Sequence, residues 1–364
     1  MTTGKSDIHA VLRSEILDGK YNDGVRFPSE PALARRFGVS RSTITRALDR
    51  LKHDGLVVSR KGAGSRVRFE KLGGSRCLGI LVPGPETNDF YAGIVKGAQE
   101  KCRDLGYKPL IRRVTAADGK MCQRRDAVAV ARDFIDSHVD GVLLFPFAPS
   151  CGGYDVNAII LGAMCKKNIV VQLVNRAVGS QNGETCDLVS IDNFAAGRRI
   201  AAHLAERGVR RCVFLDMVPQ IESVDLRYAG FVAGFSGLKG GEVHRMGVCT
   251  KSGRAVRGWL SRFKAQAFVC SGGAVAHWLM NTLPGIGVAV PDDVMVAGFD
   301  DMPSGAERGL TVIAQPLAEI GQTAIARLVE RLRNPSLPRC TILLDAPLVV
   351  RSSTAGAKGA HRAI

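Results

Sequence analysis

Apolar positions along the chain follow two different rhythms. Up to about residue 70 they recur every three to four residues, the period of amphipathic helices. Ile8, Val11, Leu12, Ile16 and Leu17 share one face of a helix that stops near Gly19, and Ile44, Ala47, Leu48 and Leu51 form a second stripe. From residue 77 the apolar residues instead come in continuous short runs: CLGILVP, KPLIRRV, GVLLFPF, IVVQLV, LVSI, RCVFL, AFVC and VMVAGF. Between them lie amphipathic stretches expected as helices over 90–105, 128–135, 156–167, 195–207, 224–235 and 275–283. Unbroken apolar strands alternating with helices predict parallel sheets covered on both faces, and two such sets predict two doubly wound lobes. In that architecture ligands gather at the carboxyl ends of the strands.

The N-terminal pattern is punctuated by capping and turn residues. Ser29 is placed to cap a short helix from Glu30 to Phe37, with Pro31 tolerated in its first turn. Gly38-Val39 makes a tight turn, and Ser40 caps a second helix running to about His53. Leu56–Arg60 and Ser65–Phe69 read as two strands around the Lys61-Gly62-Ala63-Gly64 tip. Helix, turn, helix and hairpin wing in this order predict a winged helix-turn-helix, the alternative being a solvated basic bundle with a hairpin. The fold class expected is therefore α/β: this winged head plus a two-lobed, doubly wound parallel-sheet domain. The exposed start of the second helix carries Arg41, Ser42, Thr43, Thr45 and Arg46. A guanidinium can fork onto guanine O6 and N7, and hydroxyls can reach bases or phosphates.

Charge sharpens this picture. The chain has a formal net charge of +16, and residues 1–76 hold 16 Lys and Arg against 8 Asp and Glu, half of the net charge in about a fifth of the length. A polyanionic partner is expected for that segment, although charge alone does not separate nucleic acid from a membrane surface. The ten cysteines form no C-x-x-C pair and read as small buried hydrophobes. The start MTTGKSDIHA lacks the apolar core of a signal peptide, and no apolar run approaches a membrane span, so a cytoplasmic location without membrane contact is expected. Histidine spacing suggests no metal site, and neither a P-loop nor a G-x-G-x-x-G follows the opening strand, so no cofactor or catalytic residue is assigned.

Residues 8–69 resemble the GntR family of winged-helix regulators. The resemblance rests on Gly19, Phe27-Pro28-Ser29-Glu30, Leu33-Ala34, Gly38-Val39-Ser40-Arg41, Thr43, Ala47-Leu48, Leu51, Asp54-Gly55-Leu56 and Gly62-Ala63-Gly64. It implies operator DNA as partner, with Ser29, Ser40, Arg41, Ser42, Thr43, Thr45 and Arg46 at the duplex and Lys61 and Gly62 entering the minor groove. Pro31 and Thr45 depart from positions where relatives carry arginine, so base preference does not transfer. Residues 77–351 resemble the effector domain of LacI/GalR-type repressors through VSIDNFAAGRRIAAHLAERGVRRCVFL, Ser223…Arg227-x-x-Gly230-Phe231, VAVPDDVMVAGFDD and LTVIAQPLAEIGQTAIARLVERL. A GntR-type head on this body is similar to the arabinose-repressor-like branch.

That second resemblance implies a sugar-like effector. Arg227 and Asp300 would each hold neighbouring hydroxyls by forked hydrogen bonds, their alternatives being a surface cation and a helix cap. Asn175-Arg176 either lines the cleft or forms a loop salt bridge, Asp192-Asn193 sits at a lobe crossover with either a ligand or a structural role, and Gln315 matches a second crossover. Phe90 and Phe145, with Tyr91 and Phe147, either stack on a sugar face or belong to the core. Gly272-Gly273 replaces the family's Asn-Asp pair, leaving room for a larger effector, a pocket rebuilt around Trp278, or weakened sensing. The expected division is a head over 1–70, a linker over 71–76, an effector and dimerisation domain over 77–351, and a tail over 352–364. A homodimer released from DNA by its effector is the mechanism expected. An enzyme of the same architecture, a transport-type sugar-binding protein and a ligand-promoted regulator are the rivals.

Overall fold

The computed structural model describes residues 8–17, 20–21, 25–53, 56–60, 64–67, 76–84, 89–114, 124–147, 156–178, 186–216, 221–248 and 252–355. The chain divides into two compact units, a head that is chiefly residues 1–77 and a body that is chiefly 78–364.

In the head, α1 (Ile8–Leu17), α2 (Glu30–Phe37) and α3 (Arg41–His53) pack around Leu12, Ile16, Phe27, Leu33, Ile44, Leu48 and Leu51. The bounds of α2 and α3 are those the sequence predicts, because each end is chemically marked. Ser29 Oγ accepts from Ala32 N, and Gly38 at φ 62° closes α2 in the left-handed region where glycine is unstrained. Antiparallel β1 (Val57–Arg60) and β2 (Gly64–Val67) form the wing. Residues 25–27 add a third extended segment, with Phe27 N donating to Ser65 O at 2.8 Å and Val67 N to Val25 O at 3.0 Å.

The body follows in chain order as β3 (Cys77–Pro83), α4 (Asp89–Asp104), β4 (Lys108–Val114), α5 (Arg124–Asp136), β5 (Gly141–Leu144), α6 (Val156–Cys165), β6 (Val170–Val174) and β7 (Asp187–Ile191). It continues with α7 (Asn193–Glu206), β8 (Arg211–Asp216), α8 (Glu222–Phe235), β9 (Glu242–Gly247), α9 (Gly253–Phe263), β10 (Ala267–Cys270), α10 (Gly273–Gly285), β11 (Met295–Phe299), α11 (Pro303–Glu307) and β12 (Thr311–Ile313). Last come α12 (Leu317–Arg333), β13 (Thr341–Leu344), β14 (Leu348–Val349) and a 3-10 turn at Ser352–Thr354. The strands make two six-stranded sheets, ordered β4-β3-β5-β6-β7-β13 and β9-β8-β10-β11-β12-β14. The pairs along β3-β5-β6-β7-β13 and β9-β8-β10-β11-β12 are parallel, and β14 is antiparallel to its neighbour β12.

The chain crosses between lobes after β7, after β12 and after β13. The helices that carry two of these crossings, α12 and α7, each pack almost backbone to backbone on another helix. A methyl on Gly97 of α4 would lie 2.0 Å from Ala318 O of α12, and one on Gly230 of α8 would lie 2.0 Å from Phe194 O of α7. Only glycine permits either approach.

Two expectations need correction. The tail does not begin at residue 352, because Ser353 and Thr354 are 2% and 0% exposed. Ser353 Oγ accepts from Thr311 N and donates to Val296 O, tying the turn to the second sheet. Nor are all cysteines buried: Cys102, Cys212 and Cys270 are, whereas Cys165 is exposed and Cys77, Cys186 and Cys340 are half-buried. Burial pushes the Cys212 and Cys270 thiols well above their ordinary value, keeping them protonated.

Candidate functional site

The head presents α3 behind a helix-turn-helix corner. Ser40 Oγ accepts from Thr43 N at 3.3 Å and lies 2.9 Å from the hydroxyls of both Ser42 and Thr43, so the three hydroxyls cluster at the helix start. Arg41, Ser42, Arg46 and Arg50 are exposed. Ser42, Arg46 and Arg50 succeed one another at four-residue intervals and so share a face. Thr45 behaves differently: its hydroxyl donates back to Arg41 O at 3.0 Å, which turns it onto its own helix. Ser29 is exposed but serves the N-cap of α2. Lys61 and Gly62 lie outside the described residues.

Cations in the head fall into two groups. Arg36 and Lys20 both pair with Glu15, and the Arg36 hydrogen bond is the chief reason the Glu15 carboxyl is lowered to about 2. Among the described residues Arg41, Arg46 and Arg50 have no hydrogen bond or ion pair through their side chains. Pairing serves the fold in the first group and leaves the second available to a polyanion.

The body assembles a polar centre at the carboxyl ends of its strands. Arg227 of α8 is 5% exposed. Its Nε donates to Asn193 Oδ1 at 2.8 Å, its Nη1 donates to Ser271 O at 2.6 Å, and its guanidinium lies 4.4 Å above the Phe299 ring. Burial holds its pKa below the ordinary value, the Asp300 carboxylate opposes this, and the Arg176 charge adds to it. Asp300, just after β11, sits at φ 71°. Its Oδ2 accepts from Gly273 N at 3.0 Å and its Oδ1 from Gln315 Nε2 at 2.5 Å. Gln315 Oε1 is buried and has no partner among the described residues. Arg227, Asp300, Gln315, Arg176 and Gly272 are thus brought to one region, drawn from both lobes and a crossover.

Other expected residues take different roles. Asp192 is exposed and caps α7 through Ala195 N at 2.8 Å, a structural role. Its neighbour Asn193, 4% exposed, supplies the contact to Arg227 instead. Asn175 adopts φ 74°, and its carbonyl accepts from Ser190 Oγ, so the backbone is well anchored there. Phe145 is 1% exposed and meets Tyr91 edge to face with ring centroids 5.4 Å apart, placing it in the core; Phe90 is half-buried and contacts the other side of Tyr91. The sequence singles out Asn193 together with Asp192 at the crossover, but not Ser271 or Phe299. A carbonyl such as that of Ser271 leaves no signal in the sequence.

The fold and these sites define a class: a winged helix-turn-helix reader joined to a two-lobed periplasmic-binding-protein-like body. Residues 5–67 match the model of the bacterial regulatory proteins, gntR family, and residues 201–354 that of a periplasmic binding protein-like domain. The chain is similar to the arabinose metabolism transcriptional repressor of Geobacillus stearothermophilus, 25% identical over 366 residues that cover 94% of this chain and 95% of that one. It is likewise 25% identical over 339 residues to the ribose operon repressor of Escherichia coli (strain K12), covering 88% and 98%. Among solved structures it is similar to the complex of the transcriptional regulator CelR with cellobiose, with TM-score 0.64, 22% identity and coverage of 95% and 98%. A LacI family transcriptional regulator from Enterococcus faecium with bound ribose matches at TM-score 0.61 and 21% identity, covering 77% of this chain and 98% of that one. At these identities the structural likeness speaks for the fold.

Proposed function

We propose that the protein is a sequence-specific transcriptional repressor released from operator DNA by a sugar or sugar-like effector, and that it is not an enzyme. The observation that carries the regulator reading is α3, whose exposed Arg41, Arg46 and Arg50 are without side-chain partners among the described residues, in a head that pairs Lys20, Arg36 and Lys52 with carboxylates. Hydroxyls and guanidinium groups so placed can read base edges and phosphates together. Residues 1–70 would be the reader, 71–76 the linker, and the body from 77 through the turn at 352–354 the effector and dimerisation domain. The protein would act as a homodimer in the cytoplasm, with paired heads on a two-fold operator.

The effector reading rests on Arg227, Asp300 and Gln315. A buried guanidinium with neutral hydrogen-bond partners, a carboxylate with acceptor capacity left, and an unpartnered amide oxygen together suit vicinal hydroxyls. Because Arg227 and Asp300 belong to the second lobe, Gln315 to a crossover and the nearby Arg176 to the first lobe, a ligand touching all four would favour one arrangement of the lobes. Release of DNA then requires only that the effector bind the non-DNA-binding state more tightly.

The test is to incubate the protein with fragmented DNA from its own organism at physiological salt and sequence what is retained, with and without arabinose, ribose and cellobiose. Recovery of a few fragments sharing a two-fold motif, lost on adding one sugar, is the expected result. Uniform recovery would overturn sequence specificity, and sugar-enhanced recovery would reverse the sign of control.

A further inference from the structure

Outside α3 the head holds another exposed guanidinium without a protein partner among the described residues, that of Arg26. It lies on the extended segment that joins the wing, where Arg26 bridges Arg66 of β2 in antiparallel register. The flanking bonds from Phe27 N to Ser65 O and from Val67 N to Val25 O place the Arg26 and Arg66 side chains on the same face. Both residues are exposed, and Phe27 and Val67 on the opposite face fill the core.

Where the side chain of Arg26 goes is also defined. A methyl group on Gly64 would lie 3.3 Å from its Nε and 3.4 Å from its Nη2, so the guanidinium rests over the Gly64 backbone. Gly64, at φ 77°, is the first residue of β2 and pairs with Arg60, the last of β1. The charge of Arg26 therefore sits at the end of the hairpin where β1 gives way to β2, on a platform that a side chain at residue 64 would occupy. Several other described head cations are tied down: Arg36 and Lys20 to Glu15, Lys52 to Asp49, and Arg35 to Pro31 O.

We propose that Arg26 is a phosphate-contacting residue, seated over Gly64 beside the Arg60–Gly64 end of the wing to hold the backbone of the duplex whose bases α3 reads. The proposal rests on the DNA-binding reading and adds to it a contact that neither the α3 residues nor the wing tip supplies. Such a contact positions the head without reading sequence, so it contributes equally on any duplex.

The full-length protein would be titrated onto a fluorescein-labelled 30-base-pair duplex of arbitrary sequence, by anisotropy, between 0.05 and 0.3 M salt. Loss of one phosphate contact lowers the slope of log affinity against log salt by about 0.9, which is about eightfold in affinity at 0.1 M and about threefold at 0.3 M. Arg26→Ala is expected to show that loss with an unchanged thermal unfolding midpoint, and Arg26→Lys is expected to keep the slope. A wild-type slope in Arg26→Ala would overturn the proposal alone. So would an Arg26→Lys variant as weak as the alanine variant, since a merely structural guanidinium would give that result. A wild-type protein that does not bind the duplex even at 0.05 M salt would overturn the DNA-binding reading, and this proposal with it.

Discussion

Protonation of His203 is expected to weaken the second lobe as the pH falls. The residue lies on α7, 6% exposed, with Nε2 2.8 Å from Thr354 Oγ1 and Nδ1 3.0 Å from Arg207 Nη1. Arginine only donates, so Nδ1 must accept; the ring is then neutral, and Nε2–H donates to Thr354. The remaining protons fall into order. Thr311 donates to Arg351 O, which leaves the Thr354 hydroxyl to donate to Thr311 Oγ1. Arg207 Nε clamps Thr354 O at 2.7 Å. A proton arriving at Nδ1 would face the guanidinium. Burial above all, then the Arg207 charge, lowers the His203 pKa from 6.5 to about 4, with Glu206 opposing.

A group whose folded pKa is depressed contributes stability that is complete above its unfolded pKa and is lost as the pH falls toward the folded one. The window here runs from about pH 6.5 down to about pH 4, and the full loss is about 3 kcal/mol. At pH 5 about 2 kcal/mol of it is gone. His203→Gln keeps a donor toward Thr354 and cannot titrate. Both tryptophans, Trp259 and Trp278, pack in the second lobe, so their fluorescence follows its urea unfolding. Between pH 7.5 and pH 5 the wild-type midpoint is expected to fall further than that of His203→Gln. The excess is about 0.7 M for a slope of about 3 kcal/mol/M. Equal falls in the two proteins would refute the neutral-histidine clamp.

Arg41→Ala is expected to reduce the preference for operator over random duplex by about 1–3 kcal/mol at fixed salt, the value of a forked base contact, and an unchanged ratio would remove Arg41 from base reading. Arg227→Met should abolish the calorimetric response to the inducing sugar while DNA retention without sugar persists. The acceptors it strands, Asn193 Oδ1 and Ser271 O, cost about 1–3 kcal/mol each, partly offset by removing a buried cation, so urea unfolding should move little. Gly230→Val drives a side chain into Phe194 O, where even a methyl would lie at 2.0 Å, and should destabilise the lobe by more than about 4 kcal/mol, seen as loss of soluble protein or of a cooperative transition.

What could be seen in the sequence was whatever the local chemistry marks. Ser29, Gly38 and Ser40 punctuate the head so clearly that α2 and α3 have the expected ends, and the buried strands β3 and β10 also match, as does the half-buried edge strand β4 with its apolar Leu110-Ile111. Edge and partly exposed elements left weaker traces. Glu242–Gly247 reads EVHRMG, with its first and last residues exposed and the rest half-buried, so no continuous apolar run announces β9. In α9 the buried residues are Val256 and Leu260, set among Arg254, Arg257 and Arg262. The crossover strands β13 and β14 return to sheets begun far earlier in the chain, a pairing that no local period encodes. Arg227, Asp300 and Gln315 came from resemblance to a family, whereas the partners that hold Arg227 are set by tertiary packing.

The pair Gly272-Gly273 shows how the site accommodates its departure from the family pattern. Gly272 stands at the N-cap of α10 with no side chain to cap it, and the cap comes from Asp300, just after the neighbouring strand β11, which accepts from Gly273 N. A methyl on Gly272 would lie 3.2 Å from Asp300 Oδ2, so the glycine also clears the space the carboxylate occupies. Capping and ligand binding had stood as alternatives for Asp300, but a carboxylate has about four acceptor positions. Gly273 N–H and the Gln315 amide use two, which leaves two. The missing cap residue thus does not dismantle the site: it fixes the Asp300 carboxylate from behind, and fixed orientation is what a group recognising paired hydroxyls requires.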